Sequence, residues 1–348
     1  MSVEDRIAVI KRSREPDGYG ADKRFRVDTQ AALAVVQSQG IQRTSGLVAP
    51  TMLLTGHEAA VYSVAFDPKG AHLASGSFDK TIMLWDVFGE GSCNYNVLSG
   101  HRNAVMQVQW SADGAYIGSA SADRTAALWD AGKGTRKRLY KGHTKVVNSV
   151  SMSRTQKNLM ATGSDDCTVR LWDARERREV MTFTTLYQVT AVEMGLGDLV
   201  VFSGGIDNNI RVWDLRREAQ AFAMEGHRDT ITGLALSPSG TSLLANSMDR
   251  TLCEWDVRPF ATERCLKTYR GATHGADRNL LGCSWSPSGE MVAAGSADRV
   301  VHIWDQPTGQ ELYYLPGHAG TVNDVRFHPS EPIVASCGSD KHIYLGEL

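Results

Sequence analysis

The chain has 348 residues, a formal net charge of −2 and 42% hydrophobic residues, the make-up of an ordinary globular protein rather than a glove for nucleic acid. No apolar run is long enough to span a bilayer, and the charged start MSVEDRIAVI lacks the apolar core of a signal peptide. The six cysteines (93, 167, 253, 265, 283 and 337) are scattered without a Cys-x-x-Cys pair, so the chain reads as soluble and intracellular, with free thiols.

Residues 1–50 predict a flexible arm of mixed charge. It holds KRSR (11–14) and KRFR (23–26), and its one apolar stretch, AALAVV (31–36), is too short to build a core. Lys11 and Arg12, a ten-residue spacer, then Lys23, Arg24 and Arg26 have the form of a two-part nuclear import signal.

From residue 51 onward the chain repeats. SGSFDKTIMLWD places Asp79 six residues before Trp85, and the spacing returns at Asp123/Trp129, Asp166/Trp172, Asp207/Trp213, Asp249/Trp255 and Asp298/Trp304. A seventh copy begins at Asp340 and has Gly346 in place of Trp. The Trp-to-Trp period runs 44, 43, 41, 42 and 49 residues. Gly-His precedes the Asp by 22 or 23 residues in five copies, at His57, His101, His143, His227 and His318. In the first copy VYSVAFD predicts an innermost strand, DPKG (67–70) a turn, HLASGS and TIMLWD the next two strands, and YNVLSG the outer one. Turns SADG (111–114), SPSG (237–240 and 286–289) and HPSE (328–331) recur at the same place.

A repeat of this length carrying Gly-His and Trp-Asp resembles the WD-repeat family. The resemblance implies an all-β fold, a single seven-bladed β-propeller over residues 51–348. The last copy stops at IYLGEL after its third strand, and TMLLTG (51–56) is the only strand left to complete it, so the N-terminal strand is expected to close the ring. Two copies depart from the pattern. The fourth has Thr185 at the His place; the sixth has Ala276 there, after what reads as a loop insertion over 258–279.

Each regular copy offers a set of four polar side chains: His57, Ser75, Asp79, Trp85; His101, Ser119, Asp123, Trp129; His143, Thr162, Asp166, Trp172. A catalytic Ser-His-Asp set occurs once at one cleft, whereas these return at the period of the fold. They are expected to be structural, a chain from the Trp N–H through the hydroxyl and His to Asp, incomplete where Ala245 and Ala294 replace the hydroxyl. No catalytic residue, metal set or cofactor loop emerges, and Trp110 and Trp285 read as packing between blades.

Binding is what remains. In such propellers the channel rim takes residues from early in the inner strand and from just before the repeat Asp. Here those are Tyr62 and Phe78, Met106 and Ala122, Asn148 and Asp165, Thr190 and Ile206, Thr232 and Met248, Asn323 and Ser339. Tyr62, Phe78, Met106, Ile206 and Met248 are expected to form an apolar partner-binding rim. CNYNVLSGH (93–101), GGIDNNIRVWDLR (204–216), WDVRPFA with ERC just after it (255–265), NLLGCSWSP (279–287), GSADR (295–299) and LPGHAG (315–320) resemble, in order, the WD-repeat proteins of the U5 small nuclear ribonucleoprotein. That resemblance implies a nuclear, non-catalytic scaffold in pre-mRNA splicing that binds the largest U5 splicing factor. A second resemblance, to substrate receptors of cullin–RING ubiquitin ligases, rests on Arg175, Arg216 and Arg258 in WDAR, WDLR and WDVR, which would meet the ligase adaptor.

Overall fold

The inner strands have no exposed position, and the way the chain stacks explains why. Val147–Met152, Val189–Met194 and Ile231–Leu236 are buried at every position, because each lies between two neighbouring sheets as well as within its own. The outer strands, such as Glu179–Thr184 and Glu311–Pro316, bury little. In the computed structural model, which describes residues 44–89, 94–156, 158–261 and 264–348, the strands form seven four-stranded antiparallel sheets arranged as a β-propeller. Blade one runs Val61–Phe66, His72–Ser77, Thr81–Asp86 and Asn94–Ser99, from the channel outward. The import-signal residues Lys11, Arg12, Lys23, Arg24 and Arg26 lie outside the described residues.

Blade seven takes its first three strands from the end of the chain, Val322–Phe327, Ile333–Gly338 and Ile343–Glu347, and its outer strand from Thr51–Leu54. The closing ladder pairs Thr51 with Gly346 and Leu54 with Ile343. Met52 and Leu54 point inward against Ile343 and Leu345, while Thr51 and Leu53 face out, the alternation a half-buried strand requires. The seven residues before it also dock. Thr44 and Ser45 donate from their backbone N–H groups to Glu347, Gly46 donates to Glu331, and Leu47 is buried among Val87, Ile333 and Leu345. The boundary expected at residue 50 therefore falls inside chain that is packed on blades seven and one.

The turns between first and second strands form as their residues predict. Gly70, Gly114, Gly240 and Gly289 have φ between 70° and 78°, each donating its N–H back across the turn. At Gly70 this freedom meets a close approach. His328 of blade seven donates from Nε2 to the Gly70 carbonyl at 2.9 Å, and a Cβ on residue 70 would stand 2.1 Å from that nitrogen. Trp110 and Trp285 span blades as expected: each Nε1–H donates at 3.0 Å to the preceding blade's inner strand, at Ala65 and Ala235.

Six of the inner strands carry a β-bulge at their second residue: Tyr62, Met106, Asn148, Thr190, Thr232 and Asn323. A bulged residue is left out of the ladder and its side chain is re-aimed. Four of the six use it to grip the next blade. Asn148 Nδ2 donates to Val189 O at 2.9 Å, Thr190 Oγ1 to Ile231 O, Thr232 Oγ1 to Leu281 O at 3.0 Å and Asn323 Nδ2 to Val61 O at 2.7 Å. Asn148, Thr190 and Thr232 line the channel mouth as expected, and all four side chains also staple one blade to the next.

Candidate functional site

The repeated polar sets assemble as their spacing demands. In blade one the His57 ring lies 2.7 Å from Asp79 Oδ2 through Nδ1 and 2.7 Å from Ser75 Oγ through Nε2, and Trp85 Nε1–H donates to the same hydroxyl at 2.8 Å. Blade two repeats this with His101, Asp123, Ser119 and Trp129, and blade three with His143, Asp166, Thr162 and Trp172. With Nδ1–H given to the carboxylate, Nε2 accepts the hydroxyl proton and every donor finds an acceptor. Ser75, Ser119 and Thr162 are fully buried, so none of these hydroxyls is open to a substrate.

Burial would raise the carboxyls of Asp79, Asp123, Asp166, Asp249 and Asp340. Hydrogen bonds from the partner His, and in the first four from a Thr two residues on, outweigh it and hold all five below the usual carboxylate range, Asp340 at about 2. A carboxyl whose pKa is depressed by folding stabilises the native state above its unfolded value of about 4, and that contribution drains away as pH falls through the folded value. We expect the denaturation midpoint to fall between about pH 4 and pH 2 and to fall less steeply in Asp340→Asn; parallel slopes would show that these carboxyls do not carry the acid sensitivity.

The irregular blades are repaired from one place, the residue four after the repeat Asp. In blade four, Asp207 is paired with Arg211, whose Nε lies 3.0 Å away, and Trp213 keeps its bond to Ser203. Blade seven retains His318, Asp340 and Ser336, with Tyr344 edge-on to the His ring at 4.7 Å in place of the missing indole. In blade six, His302 lies 2.8 Å from Asp298 through Nε2 and 2.6 Å from Glu311 through Nδ1. Ala276 is not the His equivalent there. The outer strand Cys265–Arg270 leads into Gly271-Ala272, as Asn94–Ser99 leads into Gly100-His101, and the missing imidazole belongs at Ala272.

The stretch 258–279 is accordingly not one loop. Its middle is the outer strand of blade five, and its two ends lie at opposite ends of the propeller. One is a turn with fully exposed Phe260; the other is a longer link into the inner strand Cys283–Trp285. His274 in that link lies 3.3 Å from Thr232 Oγ1, its pKa pushed down by burial to about 4.

The five apolar residues expected at one rim separate into two groups. Tyr62 and Phe78 meet edge to face at 6.3 Å, and Tyr62 lines the channel mouth together with Met106. Ile206 and Met248 stand on blades four and five, parted from that cluster along the ring by the polar bulge residues Asn148 and Asn323. The sequence reading missed Leu186 and Tyr187, which are 83% and 55% exposed beside Ile206. Ile206 N–H donates to Gln188 O, fixing the two loops together on the face that also holds Phe78.

The WD domain, G-beta repeat, matches residues 49–86, 91–130, 134–173, 219–256, 263–305 and 309–345, leaving out only blade four. Over 320 residues the chain is 50% identical to the U5 small nuclear ribonucleoprotein 40 kDa protein of Mus musculus, covering 92% of this chain and 89% of that one. It is 43% identical to the pre-mRNA-splicing factor cwf17 of Schizosaccharomyces pombe over 327 residues, 94% and 95% of the two chains. The Dictyostelium discoideum 40 kDa protein is 45% identical over 311 residues, 89% and 87%. The chain belongs to this WD-repeat family.

In this WD-repeat propeller the arginines of WDAR and WDVR are turned onto their own repeats. Arg175 approaches Asp173 with Nε at 3.0 Å and Nη2 at 2.6 Å, and Arg258 grips Asp256 in the same two-pronged way. Both carboxyls are lowered by these hydrogen bonds. Arg216 only donates its backbone N–H to Asp214. Among the described residues no cluster of three or more His, Cys, Asp or Glu could hold a metal ion, and the five described cysteines are unpaired.

Proposed function

We propose that this chain is a non-catalytic interaction scaffold of the U5 small nuclear ribonucleoprotein, acting in pre-mRNA splicing in the nucleus. The observation that carries the proposal is near-full-length identity with proteins named for that particle and for splicing, from Mus musculus to Schizosaccharomyces pombe. The geometry supports it: the repeated His, hydroxyl and Asp groups are consumed in holding blades together, so what the molecule offers is a rigid ring with exposed ends. Import through Lys11, Arg12 and KRFR belongs to the same proposal.

We assign the large U5 splicing factor to the face that carries Tyr62 and Phe78. Buried aromatic anchors at an interface carry about 2 kcal/mol or more when truncated, roughly thirtyfold in affinity. Tyr62→Ala combined with Phe78→Ala is expected to cut co-purification of splicing factors from nuclear extract by about that factor. The melting temperature should barely move, since neither side chain belongs to a polar set. Full recovery of U5 proteins by the double variant moves the docking site elsewhere. A wild-type chain that brings down a ligase adaptor and no splicing protein overturns the scaffold reading itself.

A further inference from the structure

The turn between the second and third strands has one unusual residue in every blade, the one just after the repeat Asp. It takes a left-handed backbone, with φ from 63° to 74°, a region where Gly and Asn are most at ease. Blade four has Asn208 there and blade three Cys167. The other five blades place a long cation in that conformation: Lys80, Arg124, Arg250, Arg299 and Lys341, all exposed. Because blade seven adjoins blade one, these five lie on consecutive blades, from five round to two, one per blade. Among the described residues none of them has a carboxylate within ion-pair reach, although each follows an Asp. The Asp carboxylates of blades one, two, five and seven are turned inward to His57, His101, His227 and His318, and that of blade six to His302.

The gap in this arc falls at blades three and four, and blade four fills it with apolar surface. Leu186, Tyr187 and Ile206 are among the exposed large hydrophobics of the chain, and the Ile206 turn is tied by its N–H to Gln188 on the same face. One face therefore presents an arc of unpaired positive charge that ends at an aliphatic and aromatic patch, with Phe78 exposed between Lys80 and the channel mouth.

We propose that this face binds an acidic protein segment that carries bulky apolar side chains, its carboxylates on the cationic arc and its apolar residues on blade four. This rests on the scaffold reading and names the chemistry of the segment the scaffold holds. Leu186, the most exposed side chain of the patch, and Ile206 neither stack on a base nor hydrogen-bond to one and so favour a protein segment. The rings of Tyr187 and Phe78 can stack on bases, which makes single-stranded RNA the competing outcome of the test. Exposed charges of one sign also speed encounter with a partner of the other, so the arc predicts an interaction that weakens with salt.

The test replaces Lys80, Arg124, Arg250, Arg299 and Lys341 together by Asn, the residue blade four already uses at this position. The substitution suits the backbone and removes five charges, so the melt should hold or rise. A second variant joins Leu186→Ala to Ile206→Ala. The probe is a labelled synthetic peptide alternating Glu with Leu and Phe, followed by fluorescence anisotropy beside its Gln-for-Glu counterpart and single-stranded oligouridylate. We expect the full-length chain to bind the Glu peptide, to lose about tenfold or more in affinity in each variant, and to bind the Gln peptide and the RNA weakly. Retention of splicing proteins from nuclear extract should fall in the five-Asn variant as well. Oligouridylate bound as tightly as the peptide, no binding of the Glu peptide, or undiminished capture of splicing proteins by the five-Asn variant each overturns the proposal. The scaffold reading fails separately, if the wild-type chain captures no splicing protein.

Discussion

A chain that starts at residue 55 is expected to lose the cooperative melt that a chain starting at residue 44 shows. The two differ by the docked segment and the closing strand Thr51–Leu54, a small part of the molecule. Its removal leaves Ile343–Glu347 as an open edge and takes Met52, Leu54 and Leu47 from a cluster that also holds Val87, Ile333 and Leu345. Losing a buried Leu or Met down to Ala costs about 2–5 kcal/mol, and here three such side chains vanish together with a four-residue ladder. A domain is stable by only about 5–15 kcal/mol, so the loss is comparable with the whole. Circular dichroism melts and gel filtration of the two chains decide it: matched transitions and matched monomer peaks would mean that the ring stands without its closing strand. An unpaired edge strand should otherwise show as association.

That closing strand was legible from sequence because it follows from counting: the last copy ends one strand short, and one unassigned strand remains. The polar sets were legible for the same reason, since the Asp-to-Trp interval is fixed by a two-strand turn that tolerates no insertion. Counting failed where the interval crosses a loop. Twenty-two residues back from Asp298 lies Ala276, but the extra residues sit between Ala272 and the inner strand, and only the pairing of Thr251 with Arg270 shows where the outer strand ends. His302 was hidden for a different cause. It occupies a strand position where blades one and two have Met83 and Ala127, and its role follows from room left by Ala272 and Ala294, which is a tertiary fact. The rim position of the bulge residues was legible, since five of the six line the channel mouth, but their second role was not: the bulge also lets Asn148 and Asn323 bond across the blade boundary. Leu186 and Tyr187 could have been suspected, as two large apolar residues beside the missing Gly-His of blade four.

Removing and adding one hydroxyl should move stability in opposite directions. Ser119 Oγ lies between His101 Nε2 and Trp129 Nε1, at 2.7 and 2.8 Å, inside a fully buried site. Ser119→Ala strands both, and a buried polar group left without a partner costs about 1–3 kcal/mol, so the pair should cost roughly 2–6 kcal/mol. Blade five already lives with that defect. Ala245 holds the hydroxyl's place, and His227 Nε2 and Trp255 Nε1 are both buried without a partner. The frame around the defect is intact: His227 still reaches Asp249 at 3.1 Å, and its ring sits 5.6 Å from Trp255, against 5.7 Å for His101 and Trp129. Ala245 pairs with Leu234 and Cys253 in the register that Ser119 keeps with Val108 and Ala127, so a serine there aims its Oγ between the two waiting nitrogens. Ala245→Ser is expected to stabilise by about 1–3 kcal/mol. At about 1.5 °C per kcal/mol for a domain of this size, the shift is within reach of a thermal melt. The same substitution at Ala294 should gain little, because Trp304 Nε1 already donates to Arg270 O and both His302 nitrogens are engaged. If Ala245→Ser leaves the melt where it was or lowers it, a water already bridges His227 and Trp255, and the hydroxyl merely displaces it.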